Sequence, residues 1–288
     1  MKRLLLINLF FLILSNLFAQ DSEIMPPVNT SKMESMVIDS GNLRVLYAMN
    51  AVDIYDTKTY DDLQRLEIGS NSSKYHSYFV FRNDSLKADV RKKNPNVQSL
   101  KRMMGEFGKK GYNWSIITWS DFFKDFSKKT LTEFASMPQG ITNYKYSEDL
   151  PVQDWELQGD TLTVCGYLCQ KASCRFRGID YIAWFAPDLS ISNGPWKFGG
   201  LPGLILKVYD VDKHNVIECI KIESSKEKFP IYRFDEKHFK NIELTKLRKL
   251  DEEIYNNYYQ MIGLINSQDK TPIKFTPIPY HPLEYDFN

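Results

Sequence analysis

Residues 193–210 read Asn-Gly-Pro-Trp-Lys-Phe-Gly-Gly-Leu-Pro-Gly-Leu-Ile-Leu-Lys-Val-Tyr-Asp, two turns, a large aromatic and a strand in succession. Gly194-Pro195 and Leu201-Pro202-Gly203-Leu204 both have the composition of tight turns. Pro202 pre-sets φ at the second position of the latter, and Gly203 is expected to supply the positive φ that a type II turn needs next. Leu204 to Tyr209 then has a strand's length. Its alternation puts Leu204, Leu206 and Val208 on one face and Ile205, Lys207 and Tyr209 on the other. Trp196, set between the glycine-rich turns, reads as a plug closing one end of a sheet. The alternative is an exposed aromatic platform. No nucleophile, metal-ligand cluster or phosphate loop lies in this stretch, so the best-defined motif is architectural.

Working outward, Thr161–Val164, the Gly166 turn, Cys169–Phe176 and Tyr181–Phe185 read as successive antiparallel strands, and Val216, Glu218, Ile220 and Ile222 continue the alternation beyond residue 210. Upstream, a strand is expected from Met36, with a turn at Gly41-Asn42 leading to another over Leu43–Asn50. Tyr78–Phe81 also reads as a strand, closed by a turn at Arg82–Ser85. Residues 86–112 change character: eight Lys and Arg residues fall between Lys87 and Lys110, while Val97, Leu100, Met104 and Phe107 recur at helical spacing. That pattern suits a solvated surface helix better than a membrane-binding one. Trp114–Trp119 reads as a strand, and Asp121–Phe126 as a helical turn or the next strand. Leu244, Leu247, Ile254, Tyr258, Met261, Ile262 and Ile265 form the apolar stripe of a long helix, followed by a proline-spaced, extended tail.

The hexamer Gly200–Ile205 resembles the signature of the GLPGLI family of Gram-negative envelope proteins. Asp62-Leu63-Gln64 with Ile68-Gly69, Ser73–Ser77, Tyr144–Trp155, Thr161–Ala172, Phe176–Phe185, Gly194–Phe198 and Tyr280–Glu284 are similar to further blocks of that family, in order. The order G-Y-x-C-x-K-A at 166–172, Ala183-Trp184-Phe185 with Pro187-Asp188, then the hexamer, is also similar to periplasmic half-barrels of the lipoprotein-localisation type. The resemblance implies an envelope location and an α+β fold, a strongly curved, half-barrel-like antiparallel sheet with packed helices. It implies no activity. One departure from the family pattern is cysteine at 165 and 174.

Lys2 and Arg3 followed by the apolar run Leu4–Phe18 and the small Ala19 have the form of a signal peptide, expected to span residues 1–19. Residues 20–37 read as a mobile leader and 38–288 as a single domain. No Cys follows the apolar run to carry a lipid, and no later segment approaches a membrane-spanning length. The whole chain has 37 basic and 36 acidic residues, a balance that leaves no electrostatic footprint for nucleic acid or anionic lipid.

Aromatic residues make up 14% of the chain and suit sheet faces. Candidate ligand- or partner-binding residues are Trp184, Trp196, Phe198, Leu204, Leu206 and Tyr258, around an apolar concave face that Ile182 and Val208 would complete and the long helix would cover. Gly200, Leu201, Pro202 and Gly203 are assigned to a structural turn. Cys165, Cys169, Cys174 and Cys219 offer a disulfide whose pairing the sequence leaves open. Their spacing is not that of a zinc site, so no metal or cofactor is expected. His76, His214, His238 and His281 are scattered singly and read as structural or surface residues. The expected function is that of a non-enzymatic envelope protein binding an apolar ligand or an outer-membrane partner such as a TonB-dependent transporter. The alternative is an envelope hydrolase with dispersed catalytic residues, which a cleft joining His214 or His281 to a carboxylate and a hydroxyl would favour.

Overall fold

The computed structural model describes residues 33–93, 120–138, 140–266, 268–274 and 276–285. Of these, 33–247 and 281–285 belong to one compact unit and 248–280 to another. The signal peptide at 1–19, the leader up to residue 32, the basic segment from residue 94 on and the strand at Trp114–Trp119 lie outside the described residues.

The larger unit is built from β1 (Ser35–Met49), β2 (Asp62–Gly69), β3 (Ser72–Ser77), β4 (Ser120–Asp125), β5 (Thr130–Ala135), β6 (Tyr144–Asp149), β7 (Glu156–Val164), β8 (Tyr167–Phe176), β9 (Ile179–Ala186), β10 (Leu204–Asp210), β11 (Val216–Phe234) and β12 (Lys240–Asn241). All twelve join one sheet in the order β12-β6-β5-β4-β3-β2-β1-β11-β10-β9-β8-β7. Every pairing is antiparallel except that of β12 with β6. Tyr47, Leu66, Tyr75, Phe122 and Leu131 from β1–β5 share one core with Cys169, Phe185, Leu204, Val208 and Ile217 from β8–β11. The Tyr47 hydroxyl donates to the Ile205 carbonyl at 2.8 Å, bonding the two halves of the sheet across that core.

The expected α+β half-barrel is therefore corrected. The described chain is mostly β, a large sandwich-like sheet that is neither closed nor strongly curved, with few helices. The physical reason lies in β2 and β3. Their residues are largely polar, so the hydrophobic alternation that marks a half-buried strand is missing, yet every residue from Asp62 to Ile68 and from Ser72 to Ser77 is buried. A sheet covered on both faces removes the usual contrast.

Three local expectations also change. Tyr78–Phe81 opens the helix Tyr78–Lys93, because the Ser77 hydroxyl accepts the Val80 N–H at 3.1 Å and caps its first turn. Gly41 lies inside β1 at a register shift, where a Cβ would stand 2.0 Å from the Ile68 carbonyl oxygen. Gly203 lacks positive φ; that conformation belongs to Gly200, at +82°. Gly203 is required instead by a close approach, since a Cβ there would come within 2.3 Å of the Ala186 oxygen. Its N–H donates to the Leu201 carbonyl at 2.8 Å, closing a three-residue turn around Pro202.

In the smaller unit the helix Leu244–Met261, which starts just before the unit boundary, has non-helical backbone at Asn257. The Ile278 N–H then returns to the Tyr255 carbonyl at 2.9 Å. No helix among the described residues is long and apolar enough to cross a membrane.

Candidate functional site

The structure brings Trp196, Phe198, Leu204 and Leu206 into the core, each at most 3% exposed, with Trp184 half-buried against them. Trp196 is buried instead of forming an exposed platform, its ring edge-on to those of Phe198 and Phe176 at 5.1 and 6.1 Å. It holds φ at +49°, a conformation large side chains adopt only when their surroundings enforce it. Tyr258, in the other unit, is also fully buried.

Two buried cations fasten the loop that carries Trp196. The Lys124 ammonium, on β4, donates to Asn193 Oδ1 at 3.0 Å, to the Gly194 carbonyl at 3.1 Å and to the Phe198 carbonyl. Burial pushes its pKa down to about 7. Lys197 is fully buried and lies 2.9 Å from Glu284 and 2.8 Å from Glu148. Arg177 completes the cluster, 2.6 Å from Glu284 and also paired with Glu148. These contacts tie the Trp196 loop to β4, to β6 and to the segment that carries Glu284.

The chemistry-bearing surface is on the opposite face of β2–β4. Strand pairing sets Arg65 against His76 and Glu67 against Lys74, so period-2 alternation gathers four ionisable side chains on one face while Leu66 and Tyr75 enter the core on the other. Asp121, on β4, joins them through a 2.8 Å ion pair with Lys74. Lys74 also donates to the Tyr232 carbonyl at 3.2 Å. The capped helix Tyr78–Lys93 brings Phe81 edge-on to His76 at 5.7 Å, and β11 brings Phe234, whose ring centre lies 5.5 Å from the Lys74 ammonium. Between these elements lies a pocket of about 310 Å³ lined by Lys74, His76, Phe81, Asp121, Ser136 and Phe234, among others. Such a volume sits at the lower end of the roughly 300–1,000 Å³ that small-molecule sites occupy.

The protonation states follow from burial. Desolvation, reinforced by the Lys74 and Arg65 charges, holds the His76 pKa well below the ordinary histidine value. The Arg65 guanidinium donates to His76 Nε2 at 3.3 Å, a contact that needs a neutral ring with its proton on Nδ1. Burial raises the Asp121 pKa while Lys74 opposes the rise. The Ser136 hydroxyl is buried and has no hydrogen-bond partner among the described residues, unusual for a native interior.

A second, smaller cleft of about 190 Å³ lies beside the β10–β11 turn, lined by Asp210, His214, His281 and Tyr285. The two imidazoles stack at 4.2 Å, although 66 residues separate Asn215, next to His214, from the His281 carbonyl that it also hydrogen-bonds. Asp210 accepts the backbone N–H groups of His214 and Asn215 at 3.0 and 2.6 Å. Among the described residues, Asp210, Asp212 and His214 place ligand atoms within 4.8 Å of one another, the arrangement that could hold a divalent ion. The four cysteines are unpaired in the structure, Cys165 half-buried and Cys169, Cys174 and Cys219 buried.

Sequence reasoning passed over the larger pocket because it weighed His76 alone. The available signal was the pair of alternations, Arg65-x-Glu67 and Lys74-x-His76, on either side of the turn at 70–71. One hairpin register puts all four on the same face.

The family model that matches this chain is described as "N-glycanase peptide, N-terminal domain" and covers residues 121–249. This corrects the resemblance to the GLPGLI family, for which the comparisons give no support. In the structure the hexamer is a turn and a core strand, Gly203 fitting under Ala186 and Leu201, Leu204 and Ile205 filling the interior, requirements that many β proteins share. No curated protein matches the chain. Two solved structures of PNGF-II, in space groups P21 and C2, each match at 14% identity over 74% of this chain, with TM-scores of 0.45 and 0.44. The match spans 33% of the length of those chains. Over residues 121–249, the chain is similar to the amino-terminal domain of an N-glycanase.

Proposed function

We propose that the protein is an exported, non-enzymatic glycan-binding module that takes a short saccharide in the pocket around Lys74, His76, Asp121 and Ser136. The observation that carries this is the buried Ser136 hydroxyl without a partner, in a pocket that also holds a buried ion pair and two phenyl rings. A pyranose presents apolar C–H faces and a rim of hydroxyls, so aromatic walls with fixed charged donors and acceptors complement it. An apolar ligand would set the Lys74–Asp121 ion pair against a surface that offers it no hydrogen bond in place of water. Similarity to an N-glycanase domain supports the same ligand class. Binding is favoured over cleavage because Lys74 and Asp121 are paired to each other and His76 Nε2 is already engaged by Arg65. The amino-terminal segment supports export to the periplasm or the periplasmic face of the outer membrane, where a transporter is the partner that would accept the captured glycan.

Calorimetric titration with N-glycan oligosaccharides tests this. The wild-type protein should bind, and Ser136→Ala should weaken binding about tenfold, the value of one hydrogen bond to a ligand, with no loss of melting temperature. Binding that is indifferent to both Ser136→Ala and Phe234→Ala would remove the proposal.

The smaller cleft favours a second reading, a hydrolase, because it joins His214 and His281 to Asp210 and the Tyr285 hydroxyl. Release of sugar from a glycopeptide, abolished by His214→Ala, would establish it in place of the binding role.

A further inference from the structure

The hairpin between β7 and β8 turns in two residues. Val164 pairs with Tyr167, and Cys165 and Gly166 between them have φ of +50° and +82°, the signature of a type I′ turn. Asn, Asp or Gly ordinarily takes the first of these positions, because an L side chain is strained there. Cysteine offers the turn no backbone hydrogen bond of that kind. It offers reach: Cys165 packs against the core cluster that contains Cys219, buried on β11. In sheet order β7 and β11 are separated by β8, β9 and β10, so this contact spans the core instead of following a ladder.

We propose that Cys165 and Cys219 form a disulfide that fastens the edge hairpin to β11 across the core, while Cys169 and Cys174 stay reduced. Interaction with Cys219 lowers the pKa of the Cys165 thiol against the opposing effect of burial, and the same interaction together with burial raises that of Cys219. Cys165, half-buried where Cys219 is buried, is the thiol that an oxidant reaches first. Burial pushes Cys169 up to about 11 and Cys174 up to about 12, leaving both as unreactive thiols.

The oxidant is a low-molecular-weight disulfide. The Cys165 thiolate attacks one of its sulfurs, an S–S bond forms to Cys165, and the other half leaves as a thiolate. Cys219 then gives up its proton to a leaving thiolate and attacks the Cys165 sulfur, expelling the second half. Two protein thiols are oxidised by two electrons, and the small disulfide is reduced to two thiols that carry the protons.

Full-length folded protein equilibrated with oxidised and reduced glutathione, then alkylated and mapped by mass spectrometry, tests the assignment. The expected result is one cross-linked peptide pair containing Cys165 and Cys219, with Cys169 and Cys174 alkylated. Four alkylated cysteines, a bond through Cys169 or Cys174, or a lasting glutathione adduct on wild-type Cys165 would each overturn it. In Cys219→Ser the same adduct should instead persist on Cys165, because the resolving thiol is gone. A Cys219→Ser protein that takes up no glutathione would also overturn it. The wild-type map needs no variant to fold.

Discussion

Replacing Lys197 with methionine isolates the energetics of the motif that organises the fold. Lys197 is fully buried; its partners Glu284 and Glu148 are 1% and 10% exposed at the side chain. At an effective dielectric of about 20, each contact near 2.9 Å represents about 6 kcal/mol of attraction before desolvation. Most of that offsets the penalty of removing the charges from water, so the intact cluster adds little net stability. Breaking it is different. Methionine fills the volume but leaves two buried carboxylates sharing Arg177, and an uncompensated buried charge costs about 3–5 kcal/mol. With a urea m-value near 3 kcal/mol/M for a chain of this size, the midpoint should fall by about 1–2 M. The double variant Lys197→Met/Glu284→Gln restores one acid to one base. It should recover at least about 1 kcal/mol relative to the sum of the singles, within the range of coupling energies between contacting residues. A single-variant loss under about 1 kcal/mol, or simple additivity in the cycle, would refute the claim that the charges are buried as a set.

Gly203→Ala should lower stability by about 1–3 kcal/mol through overpacking, because the new methyl meets the Ala186 carbonyl at 2.3 Å; Gly159→Ala, with nothing within 4 Å, should leave the thermal melt in place. Lys124 should make stability depend on pH. Its folded pKa of about 7 lies below the ordinary lysine value of 10.5, so the unfolded chain holds the extra proton between those limits and stability is lost as pH falls through that window, by up to about 1.4 kcal/mol per unit. Urea midpoints of wild type and Lys124→Met compared across that window should diverge accordingly, and parallel curves would show that the amine stays charged in the fold.

What was legible in the sequence was what hydrophobic contrast makes visible. β8, β9 and β10 emerge within a residue or two of their expected bounds, because Tyr181–Phe185 and Leu204–Tyr209 are mainly apolar, Cys169–Phe176 carries buried Cys169, Ala172, Cys174 and Phe176 among polar residues, and turn residues separate the three. Tyr78–Phe81 misled for the same reason: aromatics favour strands, and one hydroxyl cap at Ser77 outweighed that preference. Gly203 and Gly200 exchanged roles because sequence shows that a glycine is needed without showing whether φ or proximity needs it. The site was illegible for a third reason. Lys74, His76 and Asp121 look like surface residues one by one, and only strand pairing places them together under a helix and a neighbouring strand.

That arrangement bears on why the two faces of β2–β4 differ. Leu66, Tyr75 and Phe122 bury an apolar face in the common core, and apolar burial is the dominant favourable term in folding. The other face buries Arg65, Glu67, Lys74, His76 and Asp121 under the helix Tyr78–Lys93 and β11, where hydrophobic residues of similar size would serve stability as well or better. Arg44 and Arg65 both bond Glu67 at 3.1 Å, and Lys74 is held between Asp121 and the Tyr232 carbonyl, so the charges are fixed in direction by their neighbours. Fixed charges beside an unpartnered hydroxyl form a preorganised surface. Such a surface binds a polar ligand without the loss of side-chain freedom that mobile surface lysines would incur. The core face therefore accounts for the fold, and the charged face is the part of the sheet on which the glycan-binding proposal rests.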